Sequence, residues 1–101
     1  MNVPAGVRPV RIAMIGDFNP EYLAHVTSDA SLRHVAAATG LVIESEWVPT
    51  PSVPADPVAA ARALDPWDGL WISAGSPYAS REGALAAIRV ARERGKPMVA
   101  T

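Results

Sequence analysis

Two short segments, Arg11-Ile-Ala-Met-Ile15 and Leu70-Trp-Ile-Ser73, are almost continuously apolar and do not alternate with polar residues. A strand with one face in water alternates. Runs like these read instead as central strands of a parallel sheet, covered by helices on both faces. That feature confines the chain to a layered α/β arrangement, and the rest of the sequence has to supply the covering helices and the sheet edges.

Asn19-Pro20 breaks the chain after the first run. Ser28 or Asp29 then predicts the cap of a helix running to Thr39, with Leu32, Val35, Ala36 and Thr39 on its apolar stripe and Gly40 at its left-handed C-terminal cap. In Leu41 to Val48, Glu44 and Glu46 share one face while Ile43 and Trp47 share the other, the pattern of an edge strand. Pro49, Pro51, Pro54 and Pro57 exclude a regular helix or a central strand over the next stretch, which reads as a crossover loop. Asp56-Pro57 opens a helix of one or two turns, with proline at its first position. Ser80 predicts the cap of a further helix, with Leu85, Ile88 and Ala91 inward and Arg89, Arg92 and Glu93 outward, ended by Gly95. Met98 to Thr101 reads as a last strand. The order is β-α-β-α-β-α-β. Right-handed crossovers then give a flavodoxin-like parallel sheet with strand order 2-1-3-4.

Composition narrows the possible functions. At 101 residues the chain has material for one core, and 19 of its apolar residues are alanine, so the helices must pack through small faces. A formal charge of −1 removes the general attraction of a basic protein for nucleic acid. No apolar run approaches the roughly 20 residues that cross a bilayer. Met1 to Pro9 lacks the order of a signal peptide, so a short leader and a cytoplasmic location are expected. The absence of cysteine excludes a disulfide framework, a Cys-ligated zinc site and a thiol nucleophile within these residues.

In an open α/β sheet the ligand site lies beyond the carboxyl ends of the strands. Two loops qualify: Gly16-Asp-Phe-Asn-Pro20 and Ala74-Gly-Ser-Pro-Tyr78. A glycine after a strand can turn successive backbone N–H groups outward toward an oxyanion or phosphate, Pro77 stiffens the turn, and Tyr78 supplies a wall. An ordinary structural turn fits the same pattern. Neither a dinucleotide fingerprint nor a P-loop is present, and no G-x-S-x-G elbow accompanies Ser73, Ser76 or Ser80. His25 and His34, nine apart, lack the company of a metal pair and read as solvated or core-edge residues, and no metal or cofactor is expected. Asp17 reads as a turn cap rather than a cation ligand. Arg89, Arg92, Arg94 and Lys96 read as the solvated, dipole-matched end of the last helix. Trp47, Trp67 and Trp71 bracket the strands and read as core.

Taken together, Arg11-Ile-Ala-Met-Ile-Gly-Asp-Phe-Asn-Pro20, Ala24-His25, Glu46-Trp-Val-Pro-Thr50, Asp68-Gly-Leu-Trp71, Gly75-Ser-Pro-Tyr78, Gly83-Ala-Leu85 and Ile88-Arg-Val-Ala-Arg-Glu-Arg-Gly-Lys-Pro97 resemble the class I glutamine amidotransferase family. The likeness is to the glutaminase domain of CTP synthase and its stand-alone bacterial relatives. It spans residues 10 to 101, as the N-terminal part of such a domain, with residues 1 to 9 as leader. Ala74 departs from the proline usual before the glycine.

The resemblance implies hydrolysis of the glutamine side-chain amide to glutamate and ammonia. A Cys thiolate is the nucleophile, a His base is oriented by a Glu, and backbone N–H groups stabilise the oxyanion. Gly75 and Ser76 match the oxyanion loop, and Tyr78 would contact the substrate. The nucleophile would follow the strand Met98 to Thr101, so the expectation is a cut through a domain, without activity on its own. Two other readings stand beside it: a non-catalytic binding or assembly module whose last strand pairs with a second copy or a further segment, and a nucleotide or phosphate binder using the loops after the first and third strands.

Overall fold

The computed structural model describes residues 8–75 and 77–101. Its elements run β1 (Val10–Ile15), α1 (Leu23–Thr39), β2 (Ile43–Val48), a single 3-10 turn (Thr50–Ser52), α2 (Pro57–Leu64), β3 (Gly69–Ile72), α3 (Arg81–Arg94) and β4 (Met98–Ala100). The four strands form one parallel sheet in the order β2-β1-β3-β4, as expected.

β1 is central because both its faces are apolar. Ala13, Met14 and Ile15 are wholly inaccessible to solvent. Ala13 and Ile15 join Leu70 and Ile72 of β3 beneath α2 and α3, in a core completed by Val53, Leu64, Trp67, Ala87 and Val90. Burying a side chain the size of Ile15 stabilises the fold by about 1.5–3 kcal/mol. β2 pairs with β1 in register from Val10↔Ile43 to Ile15↔Val48. Its Glu44 and Glu46 remain exposed, which accounts for its place at the sheet edge.

The helix starts divide into two kinds. Asp56 caps α2 by accepting from the Ala59 N–H at 2.9 Å, and Ser80 caps α3 by accepting from the Gly83 N–H at 3.0 Å, both as the sequence predicts. α1 instead begins at Leu23, upstream of Ser28 and Asp29, and has no side-chain cap. The signal that starts it is a local turn. The Asn19 side chain accepts from the Glu21 N–H at 2.9 Å and the Asn19 carbonyl from the Tyr22 N–H at 3.0 Å. Within the helix, the Ser28 hydroxyl donates back to the Ala24 carbonyl, and the Asp29 carboxylate accepts from Trp47 Nε1 at 3.0 Å. Gly40 and Gly95 end α1 and α3 in the left-handed conformation.

Two helix faces also differ from expectation. On α1, Leu32 and Ala36 are half-buried, but Val35 and Thr39 face solvent, because the helix turns His25 and Ser28 toward the sheet instead. On α3, Ala91 is buried and Ile88 half-buried, whereas Leu85 is 52% exposed. The inward row is Gly83, Ala84, Ala86, Ala87 and Val90, whose small side chains let α3 lie close to α2 and the sheet. Gly83 shows how close: a β-carbon there would stand 1.9 Å from the Thr50 carbonyl oxygen. Among the described residues, no helix is long and apolar enough to cross a membrane.

Candidate functional site at the switch point

β1 leads outward to β2 on one side, while β3 lies on its other side. The crevice at this reversal of strand order is where open α/β sheets bind ligands. Here it is a cleft of about 470 Å³ whose lining includes Asp17, Tyr22, His25, Gly75, Pro77 and Tyr78. The two loops singled out from sequence therefore do converge.

Asp17, the second residue after β1, accepts from the Thr50 N–H at 2.9 Å, from the Thr50 hydroxyl at 2.9 Å and from the Ala79 N–H at 2.9 Å. Thr50 Oγ1 in turn accepts from the Ser80 N–H at 2.8 Å. One carboxylate thus joins the loops following β1, β2 and β3, in keeping with a turn cap. Burial is the largest single influence on the Asp17 carboxyl and pushes its pKa up. The hydrogen bonds from Ala79 and Thr50 together outweigh it, and the pKa lies below its ordinary value of 3.8.

Gly75 follows β3 with φ +126°, a backbone conformation that side-chain-bearing residues rarely adopt. A β-carbon on it would lie 3.1 Å from both His25 Nε2 and the Tyr22 ring, so the loop rests directly on those two side chains. Ser76, the other residue expected in the oxyanion loop, lies outside the described residues. The Tyr78 hydroxyl donates to the Ser73 carbonyl at 2.7 Å, and its ring packs on the core beside the cleft. Its phenol is therefore occupied within the protein, and the residue lines the cleft.

The residue that spacing arguments missed is His25. It is 3% exposed, and both ring nitrogens are engaged: Asn19 N–H donates to Nδ1 at 3.0 Å, and Nε2 lies 2.7 Å from the Ala74 carbonyl oxygen. Tyr22 meets it edge-on at 4.9 Å, Trp47 lies at 4.8 Å, and Phe18 stacks at 6.0 Å. Its nitrogens reach main-chain atoms 6 and 49 residues away. Only its place in the Ala24-His25 pair of the resemblance marked it. His34, by contrast, is exposed. Lys96 leaves the solvated basic cluster to donate to the Trp67 carbonyl at the far end of the sheet.

The parallel flavodoxin-like sheet in this strand order is the framework of a glutamine-amidotransferase-like protein. No family model matches the chain. Its relatives are more particular. It is 36% identical over 90 residues to a CTP synthase of Mycolicibacterium gilvum and 34% identical over 90 residues to that of Rubrobacter xylanophilus, in both cases covering 89% of this chain. It spans 15% and 16% of the length of those two relatives. The solved glutaminase domain of Trypanosoma brucei CTP synthase, with bound acivicin, superposes with a TM-score of 0.72 at 26% identity, covering 90% of this chain and 35% of that one. In sequence and in fold the chain is thus glutamine-amidotransferase-like, similar to the glutaminase domain of CTP synthase.

Proposed function

We propose that residues 10–101 are the N-terminal part of a glutamine amidotransferase-like domain, and that the cleft over Gly75 takes the side-chain amide of glutamine. The observation that carries this reading is Gly75 itself, held at φ +126° at the carboxyl end of a central strand. A glycine loop there can present backbone N–H groups to the oxyanion that forms when the amide carbon is attacked. Tyr78 and Pro77 wall the cleft, and Ser76 is the second residue of the loop by resemblance.

These 101 residues contain no cysteine, and the resemblance assigns none of their side chains to the His–Glu pair that activates the thiolate. An oxyanion loop without a nucleophile retains little catalysis, so this chain on its own releases no glutamate or ammonia from glutamine. Titration of ¹⁵N-labelled protein with L-glutamine tests the binding half of the reading. The amide signals of Gly75 and Tyr78 are expected to shift, and unchanged signals at saturating glutamine would sink it. A glutamate assay on the same samples tests the other half, where any turnover by the pure chain overturns it.

A second reading, an assembly module, is favoured by β4. Among the described residues it has a strand neighbour on one side only, and Met98, Val99 and Ala100 are all exposed. An open, apolar strand edge is a template for pairing, either with a second copy or with a further segment.

A further inference from the structure

We infer that His25 is a positioning residue for the Gly75 loop: as the neutral Nε2–H tautomer it holds the Ala74 carbonyl and so fixes the direction of the Gly75 N–H. This role rests on the reading of Gly75 as an oxyanion donor.

The tautomer follows from the two bonds. Asn19 N–H can only donate, so Nδ1 must be the bare, accepting nitrogen. A neutral ring then carries its proton on Nε2, which donates to the Ala74 carbonyl at 2.7 Å. The opposite tautomer would set two donors against each other at Nδ1 and two acceptors at Nε2. The ring has little freedom to turn out of this arrangement, being buried and flanked by Phe18, Tyr22 and Trp47.

The consequence for the loop is geometric. A trans peptide is planar and carries its C=O and N–H in opposite directions. With the Ala74 carbonyl anchored on His25, the Gly75 N–H points away from the ring. Glycine at φ +126° has no steric barrier of its own against reorienting this peptide, so without the anchor several directions are open to it. An oxyanion donor is effective when its direction is set before the charge develops. Gly75 also lacks the β-carbon that would crowd Nε2, so ring and loop fit only as a pair. The same imidazole holds the loop after β1 through Asn19, and it thereby sets one side of the cleft against the other.

Two variants separate the two bonds. Gln at position 25 reaches as far as Nε2 and can keep donating to Ala74. Asn places its oxygen near Nδ1 and keeps the Asn19 bond, but it is too short to reach Ala74. In the ligand-free wild-type chain, ¹⁵N spectra of the ring are expected to show a protonated Nε2 and a bare Nδ1. The Gly75 amide should keep its wild-type order in His25→Gln. In His25→Asn it should move and lose order, its heteronuclear NOE falling by roughly half, while the β1 and β3 signals stay in place. A protonated Nδ1 in the wild-type ring, or a Gly75 signal unmoved in His25→Asn, overturns the assignment. The ring spectrum decides the matter alone if either variant fails to fold. None of these measurements contains glutamine. If the tautomer and the variant split hold while L-glutamine moves no Gly75 signal, the clamp stands and the glutamine reading falls.

Discussion

The carboxylate of Asp17 takes both the backbone N–H and the hydroxyl of Thr50, two residues 33 positions apart that close off the ends of neighbouring strands. Through the same carboxylate Ala79 is drawn in, and through the Thr50 hydroxyl Ser80. The loops beside the cleft are therefore joined through main-chain groups held by one anion and one buried hydroxyl, Thr50 being fully inaccessible to solvent.

Replacing Asp17 by Asn tests how much that anion contributes. An amide can still accept on one side, but its NH₂ then faces a backbone N–H, donor against donor. Hydrogen bonds to charged groups are worth more than neutral ones, so the expected loss is about 2 kcal/mol, or roughly 10 °C in Tm for a domain of this size. Urea or thermal unfolding followed by circular dichroism measures it.

The pH dependence has a definite sign. The Asp17 pKa is lowered in the folded chain, so its contribution is fully present above the ordinary value of 3.8 and is lost as pH falls through the lower folded value. The stability gap between wild type and Asp17→Asn should hold from neutral pH to about pH 4 and close below it. Asp68 at the opposite end of the sheet is also held low, first by the Arg11 N–H and then by Arg8. It titrates in both proteins and cancels in the difference. A gap that stays constant down to pH 2 would show that Asp17 acts through shape and not through charge.

Gly83→Ala should destabilise the chain even though alanine is the better helix former. The added carbon would meet the Thr50 carbonyl at 1.9 Å and its carbon at 2.9 Å, and both atoms are backbone. Overpacking of this kind costs about 1–3 kcal/mol, against a helix-propensity gain of about 1. Because Thr50 is the joint of the Asp17 network, the amide signals of Asp17, Ala79 and Ser80 should shift together in this variant. A Tm equal to or above that of wild type would refute the close approach of α3 to the 3-10 turn.

The two predicted caps offer a calibrated comparison. Asp56→Ala and Ser80→Ala each remove one acceptor from a helix N-terminus and should each cost about 1 kcal/mol by urea unfolding. The first lies on an exposed loop. The second adjoins the Thr50–Ser80 bond, so in Ser80→Ala alone the perturbation should reach Asp17.

What the sequence made legible, and what it did not, divides along the range of the interactions. The unalternating runs through Ile12–Ile15 and Leu70–Ile72 identify the central strands, because burial on both faces leaves its mark on every residue of a strand. The polar face of β2 placed it at the edge, and Asp56, Ser80, Gly40 and Gly95 marked helix ends through contacts a few residues away. The start of α1 was hidden because an Asn19 turn replaces a capping side chain. Leu85 was misplaced because a helix rich in alanine has no single apolar stripe to read. At the cleft, a glycine after a strand was visible as a candidate. The residues that set its geometry act over long separations, His25 on a main-chain carbonyl 49 residues away and Thr50 on the Asp17 carboxylate 33 residues away, and no local pattern encodes them.

The open edge of β4 yields the last test. If that edge pairs with another strand, the chain should self-associate as its concentration rises, seen as a growing dimer fraction in sedimentation velocity. Val99 is 51% exposed and lies beside Trp71 in the register of β3 with β4. A charge there is the device by which natural sheet edges resist pairing. Val99→Lys should therefore shift the association at least roughly tenfold toward monomer, the effect of about 1.4 kcal/mol, while changing Tm far less than a core substitution because half of the residue is already exposed. A wild-type chain that stays monomeric at the highest attainable concentration would remove self-pairing as an occupant of this edge. Dimers that persist unchanged in Val99→Lys would place the contact elsewhere, and the uncovered side chain of Leu85 on α3 would be the next surface to alter.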